Sequence, residues 1–201
     1  MKAGGHVLMT FKSGVADENS RVRHIRLPGP LREAAGVSYQ EFSTLERPLA
    51  LKGDPFAIGA DGNHVMYWAE FLETESAEPL AYYDHPFFGR WPALTRNRYG
   101  DGSVTYVGCW PSQALLLRIA SDVVQSAGVN GVDRRVPGRV QLKSGVNCYG
   151  KQVRYYLNYS PDSQFFSCGP CAAANLITGE TVTEGRKIEL DPWGVAILEE
   201  S

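Results

Sequence analysis

The sequence predicts an α/β domain followed by a small antiparallel β-domain, and three observations carry that expectation. The first is a nearly continuous apolar run over residues 6–11, bounded by Gly4-Gly5 and by a polar loop with Ser13, Gly14, Asp17, Glu18 and Asn19. Such a run is the pattern of a strand covered on both faces. The second is one long amphipathic stretch, in which Leu115, Leu116, Ile119, Ala120, Val123 and Ala127 recur at three- and four-residue spacing. The third is a change after residues 130–138, a polar stretch ending in Pro137-Gly138, beyond which short strand-like runs alternate with turn residues. The expected division is residues 1–130 and 138–201.

The elements follow in order. Strands covered on both faces usually have neighbours on either side, so the strands flanking residues 6–11 are expected upstream of Met1. Pro28-Gly29-Pro30 fixes a tight turn, and residues 31–35 make a short helix started by Pro30 and stopped by Gly36. Residues 37–42 read as a strand. Residues 45–63, rich in Gly, Pro, Asp and Asn, read as a loop. Two strands, 65–72 and 80–83, are separated by an acidic connection. A hairpin pairs 92–99 with 103–109 around Gly100-Asp101-Gly102, whose Asp-Gly pair supplies the positive φ of such a turn. The long helix then runs from Ser112 as N-cap to Gly128 as stop. Strands are expected at 140–143, 152–159, 164–166, 174–177, 186–190 and 194–198.

Charge and composition exclude several classes. Twenty Lys and Arg against 22 Asp and Glu leave a net charge of -2, without the basic footprint of a nucleic-acid binder. About 18 consecutive apolar residues, which a membrane span needs, occur nowhere, and the first apolar run breaks at Lys12, too short for a signal h-region. A cytoplasmic chain with no nucleic-acid and no membrane partner is expected.

Cys168-Gly169-Pro170-Cys171 has the inner residues of the thioredoxin redox motif. A redox cysteine of that type needs a helix N-terminus to stabilise its thiolate. The sequence after it reads as short strands, so a structural turn is expected. A zinc site with Cys109 and Cys148 would need a second close pair, which those single, distant cysteines do not form. No metal and no cofactor is expected.

Catalytic patterns are equally thin. Asp17 and Glu18 stand on a loop after a strand, where α/β sheets often place functional groups, yet capping of backbone N–H groups or pairing with Arg21 or Arg23 is the plainer expectation. Glu70, Glu73, Glu75 and Glu78 read as a solvated face. No G-x-S-x-G elbow is present, and His6, His24, His64 and His85 lack metal-ligand spacing. Trp68, Tyr82, Tyr83, Phe87, Phe88 and Trp91 could stack on sugar rings but more often fill a core or an interface; their density over 82–91 favours an interface.

Longer stretches bring a family into view. GGHVLMTFKSGVADEN, PGPLREAAGV, WAEFLE and GRWPALTRNRYGDGSVTYVGCWP, in this order, resemble the trimerisation domain of the bacterial β-galactosidases of glycoside hydrolase family 42. RYYLNYS, LITGE and IELDPWGVAILEE are similar to their C-terminal β-domain. The resemblance implies an incomplete flavodoxin-like or amidotransferase-like domain over 1–130, and no catalytic residue, since the barrel that carries the two glutamates takes about 250 residues and precedes these domains. It implies a role in assembly, as a trimer or against a barrel subunit encoded upstream, with galactosides met only through the parent enzyme. Gly4, Gly5, Ser13, Gly14, Asp17, Glu18, Pro28, Gly29, Pro30, Leu31, Pro92, Asn97, Gly100 and Gly102 match the family pattern as scaffold and interface positions. The CGPC turn departs from it. A stand-alone carbohydrate-binding or regulatory module, and a CxxC redox protein, are the alternative functions.

Overall fold

In the computed structural model the first apolar run forms β1 (His6–Thr10), and it pairs in parallel with β8 (Gly102–Val107), His6 opposite Ser103 and Thr10 opposite Val107. The model describes residues 1–129, 136–169 and 172–200, and the chain divides into two compact units, Met1–Val129 and Asn130–Ser201. Both faces of β1 are covered, as a continuous apolar run requires. Leu8 packs on a cluster that includes Leu115 and Ile119, while Val7 and Met9 join a second cluster with Tyr39, Leu72, Val104 and Tyr106.

The rest of this sheet departs from the expected α/β class. β3 (Phe42–Lys52), β4 (His64–Glu70), β6 (Glu78–Tyr83), β7 (Pro92–Tyr99) and β9 (Cys109–Pro111) complete seven strands in the order β1-β8-β7-β6-β3-β4-β9. Every pair but β1 with β8 is antiparallel. The unit is mostly sheet with few helices. From β3 onward its strands are joined by connections shorter than the dozen or more residues that a parallel crossover needs, so neighbouring strands pair antiparallel. A lesser pair, β2 (Val37–Ser38) with β5 (Glu73–Thr74), lies outside the large sheet.

β3 occupies much of the span expected as a loop. Its inward positions Leu45, Leu49 and Leu51 are interrupted by a register shift between Leu45 and Leu49, where Pro48 sits. A bulge tolerates the proline that a regular ladder cannot.

Two helices complete the unit. Gly29–Leu31 makes one 3₁₀ turn into α1 (Arg32–Ala35), which stops at Gly36. α2 (Gln113–Ser126) begins at Ser112, whose hydroxyl accepts the Leu115 N–H at 3.1 Å, and packs on β1 and β9. Leu115 and Ile119 are buried, but Leu116, expected on the same face, is exposed.

The second unit is antiparallel. β10 (Val140–Val146), β11 (Gln152–Asn158), β16 (Val195–Glu200), β13 (Ala173–Asn175) and β14 (Thr181–Val182) form one sheet in that order. β12 (Gln164–Ser167) pairs with β15 (Lys187–Leu190). Tyr156 of β11 stacks on Phe166 of β12 at 3.9 Å. Asn158, buried, pins two loops: its amide donates to the carbonyls of Asp162 and Asp191, each at 2.8 Å, and its carbonyl accepts the Ser160 hydroxyl at 2.7 Å.

Candidate functional site: a ringed face over a buried carboxylate

Functional groups in sheets with parallel strands gather beyond the strands' carboxyl ends. β1 and β8 end together there, and the chain continues into Phe11 and Lys12 on one side and Gly108 and β9 on the other. β4 returns beside β9 and brings Tyr67, Trp68 and Glu70 to the same place. Its pairing with β9 shifts register between Met66 and Ala69. Lys12 and Tyr67 both have positive φ, 61° and 59°. Such backbone is costly for residues with a Cβ and clusters at sites that use it.

Glu70 is fully buried, contrary to the solvated face expected of it. Its Oε1 accepts the Lys12 backbone N–H at 2.7 Å and the Trp68 indole N–H at 3.4 Å, and its Oε2 accepts the Tyr106 hydroxyl at 2.9 Å. The Tyr83 hydroxyl lies 3.0 Å from the Glu70 carbonyl and 3.2 Å from that of Gly108. Burial raises the Glu70 pKa above the ordinary glutamate value, opposed by the hydrogen bonds from Lys12, Tyr106 and Trp68. Burial and the Glu70 charge push Tyr39 and Tyr106 up as well, and they raise the Cys109 thiol. The carboxylate therefore fastens the turn after β1 to β4 and β8. Its neighbours are an amide, an indole and phenols, a holding arrangement and not a pair of carboxylates for glycosidic cleavage.

Over this anchor lies a surface of rings. Phe42 stacks on Trp68 at 4.3 Å, the Lys12 ammonium stands 4.0 Å from the Trp68 ring centre, and Phe11 lies 5.6 Å from Trp110. Tyr67 meets Trp110 edge-on at 5.7 Å. Phe42, Tyr67 and Trp110 remain 53%, 59% and 48% exposed. Large rings left in water in one cluster mark a surface that contacts something.

The residues singled out from sequence fall mainly into two tight junctions. Asp101 and Ser103 donate their N–H groups to the carbonyls of Lys2 and Gly5, which nests the turn at Gly4-Gly5 against Gly100 and Gly102. A Cβ on Gly102 would lie 2.0 Å from the Gly5 carbonyl oxygen. At the second junction Gly14, with φ +72°, faces Pro28; a Cβ there would lie 2.2 Å from its carbonyl oxygen. Gly29, Pro30 and Leu31 continue that junction as the 3₁₀ turn, and Ser13 donates to the Thr10 carbonyl at 2.7 Å. Asp17 accepts the N–H groups of Asn19 and Arg21, both at 2.9 Å, so it caps its own loop, while Glu18 is exposed. Pro92 opens β7, and the Asn97 amide donates to the Ala34 carbonyl at 2.9 Å at the end of α1.

Of the aromatic residues noted, Tyr83 is buried in the core, Phe87 is exposed, and Phe88 and Trp91 pack on that core from its margin. Among the described residues no group of three or more His, Cys, Asp or Glu could hold a metal ion, and no helix is long and apolar enough to cross a membrane. Cys168 is buried after β12, and the next described element is the strand β13; Pro170 and Cys171 lie outside the described residues. Residues 130–135, in the expected domain boundary, lie outside them too. Sequence reasoning missed Glu70 and the ring face. A glutamate inside the otherwise apolar stretch Tyr67 to Leu72 was the available signal.

Fold and surface together define a mostly-β chain of two units, the first with a buried, hydrogen-bonded carboxylate and a cluster of exposed rings over it. The family model for the β-galactosidase trimerisation domain matches residues 1–130, and that for the β-galactosidase C-terminal domain matches residues 149–200. The chain belongs to the β-galactosidases of glycoside hydrolase family 42. It is similar to β-galactosidase BglY of Alicyclobacillus acidocaldarius, 32% identical over 99% of this chain and 29% of that enzyme. It is also similar to β-galactosidase Bga of Halorubrum lacusprofundi, 37% identical over 71% of this chain and 22% of that enzyme. The crystal structure of β-galactosidase from Bacillus circulans sp. alkalophilus superposes with a TM-score of 0.87 at 26% identity, covering 100% of this chain and 30% of that one. The chain thus spans less than a third of the length of these relatives.

Proposed function

We propose that this chain is the non-catalytic, assembling portion of a family 42 β-galactosidase. Residues 1–130 act as a partial trimerisation domain, residues 138–201 as the C-terminal β-domain, and hydrolysis of terminal β-D-galactosides belongs to the whole enzyme. The observation that carries this reading is the exposed ring face of Phe42, Tyr67 and Trp110, held in place by Glu70. Tryptophan and tyrosine ordered in this way are the residues that dominate protein–protein contacts. The outer side of α2 adds Leu116, Val124 and Leu117, the last 64% exposed. The partner is a second and third copy of this chain, or a catalytic barrel.

Analytical ultracentrifugation of the purified chain tests the homo-oligomer. The wild type is expected to sediment as three copies of the 22.1 kDa chain. The Tyr67→Ser, Trp110→Ser double variant is expected near the mass of one copy, with an unchanged circular dichroism spectrum. A wild type that stays a monodisperse single copy across the concentration range overturns self-assembly.

A further inference from the structure

Between β6 and β7 the chain makes a turn closed by its own hydrogen bonds and ring contacts. The His85 ring nitrogen Nδ1 accepts the N–H groups of Phe87 and Phe88, both at 3.1 Å, and the Gly89 N–H returns to the His85 carbonyl at 2.9 Å. The His85 ring stacks on Phe88 at 4.1 Å, Phe88 leans on Phe71 at 4.9 Å, and Phe71 stacks on Trp91 at 4.5 Å. The Arg90 guanidinium sits 3.9 Å from the Trp91 ring centre. This ladder forms one wall of a cleft of about 500 Å³ lined by Glu41, Phe71, Pro86, Phe87, Phe88, Arg90 and Trp91. An adjoining hollow shares Glu41, Phe71, Arg90 and Trp91 and adds Gln40 and Glu73. The volume falls within the range of small-molecule sites, about 300–1,000 Å³.

The polar groups around this cleft are not used up by the fold. Glu73 is held by Arg26, but the side chains of Gln40 and Glu41 have no hydrogen-bond or ion-pair partner among the described residues, and Arg90 touches only a ring face. A carboxylate, a carboxamide and a guanidinium thus offer acceptors and donors side by side. A negatively charged ligand meets Glu41, and a positively charged one meets Arg90. Phe87, 77% exposed, tilts against the His85 ring at 5.8 Å and leaves most of its own ring to solvent.

From this arrangement we infer that the cleft binds a neutral pyranose. The apolar C–H face of the sugar lies on Phe87, and its hydroxyls, each both donor and acceptor, bridge Glu41, Gln40 and Arg90. This binding is separate from the assembly proposed above and uses different residues.

Saturation-transfer NMR of the full chain with methyl β-D-galactopyranoside and methyl β-D-glucopyranoside tests it, with a glucuronate as the charged control. At least one neutral glycoside is expected to give saturable transfer to its ring C–H protons at millimolar concentration, and the glucuronate to bind more weakly. Phe87→Ala is expected to weaken binding up to about tenfold, and Glu41→Gln by about tenfold. Both residues are exposed, so circular dichroism of the variants should match the wild type. Trp110→Ser, on the ring face, should leave the dissociation constant read from the saturation curve unchanged. Absence of saturable transfer with both neutral glycosides overturns the inference. So does binding that survives both cleft substitutions, or that is lost with Trp110→Ser. Sedimentation of the same samples separates the two readings: oligomers without sugar binding overturn only this one, and sugar binding by a single-copy chain overturns only self-assembly.

Discussion

Glu70 in the first unit and Asn158 in the second do similar work by different chemistry. Each is a buried polar side chain that ties together segments distant in sequence, Glu70 reaching Lys12 and Tyr106, Asn158 reaching Asp162 and Asp191. Asn158 does so with a neutral amide that cannot titrate. Glu70 does so with an ionisable group whose burial raises its pKa. The difference teaches that equal hydrogen-bond satisfaction does not mean equal behaviour: the Glu70 anchor depends on pH and the Asn158 anchor does not.

The largest effect should come from removing the charged anchor. Glu70→Ala strands the Lys12 N–H and the Tyr106 hydroxyl in a buried site and is expected to cost about 3 kcal/mol, read as a lowered urea midpoint by fluorescence of the tryptophans in the first unit. Asn158→Ala is expected to cost about 2 kcal/mol, in the transition of the second unit and with no dependence on pH. If the two losses appear in one shared transition, the comparison between separate anchors breaks down.

Glu70→Gln sharpens the contrast with the smallest change, about 1 kcal/mol near neutrality. Because the native pKa is raised, the folded state holds its proton more tightly than the unfolded chain. The Glu70 contribution is therefore full below the ordinary glutamate pKa and declines as pH rises through its raised native value. Tyr39, Tyr106 and Cys109, which face the same site, are pushed upward and stay protonated in that window. Thermal unfolding from mildly acidic to neutral pH should fall for the wild type and flatten for Glu70→Gln. A variant that keeps the wild-type slope would assign the dependence to other groups.

Local chemistry made the hairpin at 100–102 and the capped helix legible, since a glycine turn and a Ser N-cap act over a few residues, although the positive φ, 66°, falls on Gly100 and not on the Asp101-Gly102 pair, because Gly102 already pairs with Tyr99. The sheet class was not legible. A covered strand at the start looks the same whether its neighbours are parallel crossovers or hairpins, and its own pairing with β8 is parallel; only the antiparallel pairings among β3, β4, β6, β7, β8 and β9 decide the class. β3 was hidden by Pro48, which a bulge accommodates. Glu70 was misread because its sequence neighbours Glu73, Glu75 and Glu78 carry charge to the surface, whereas its own surroundings come from tyrosines far along the chain. The ring face escaped notice for the same reason: Phe11, Phe42, Trp68 and Trp110 lie on four separate segments.

The parallel edge at β1 has a consequence in the rhythm of proton exchange. In a strand paired on one side only, alternate residues send their N–H groups toward the neighbour and the others outward. Amides along His6–Thr10 should therefore exchange with solvent deuterium as a comb, every second one slow. Any chain that docks along this edge would fill the gaps in the comb, so the pattern itself reports whether the strand has found a companion.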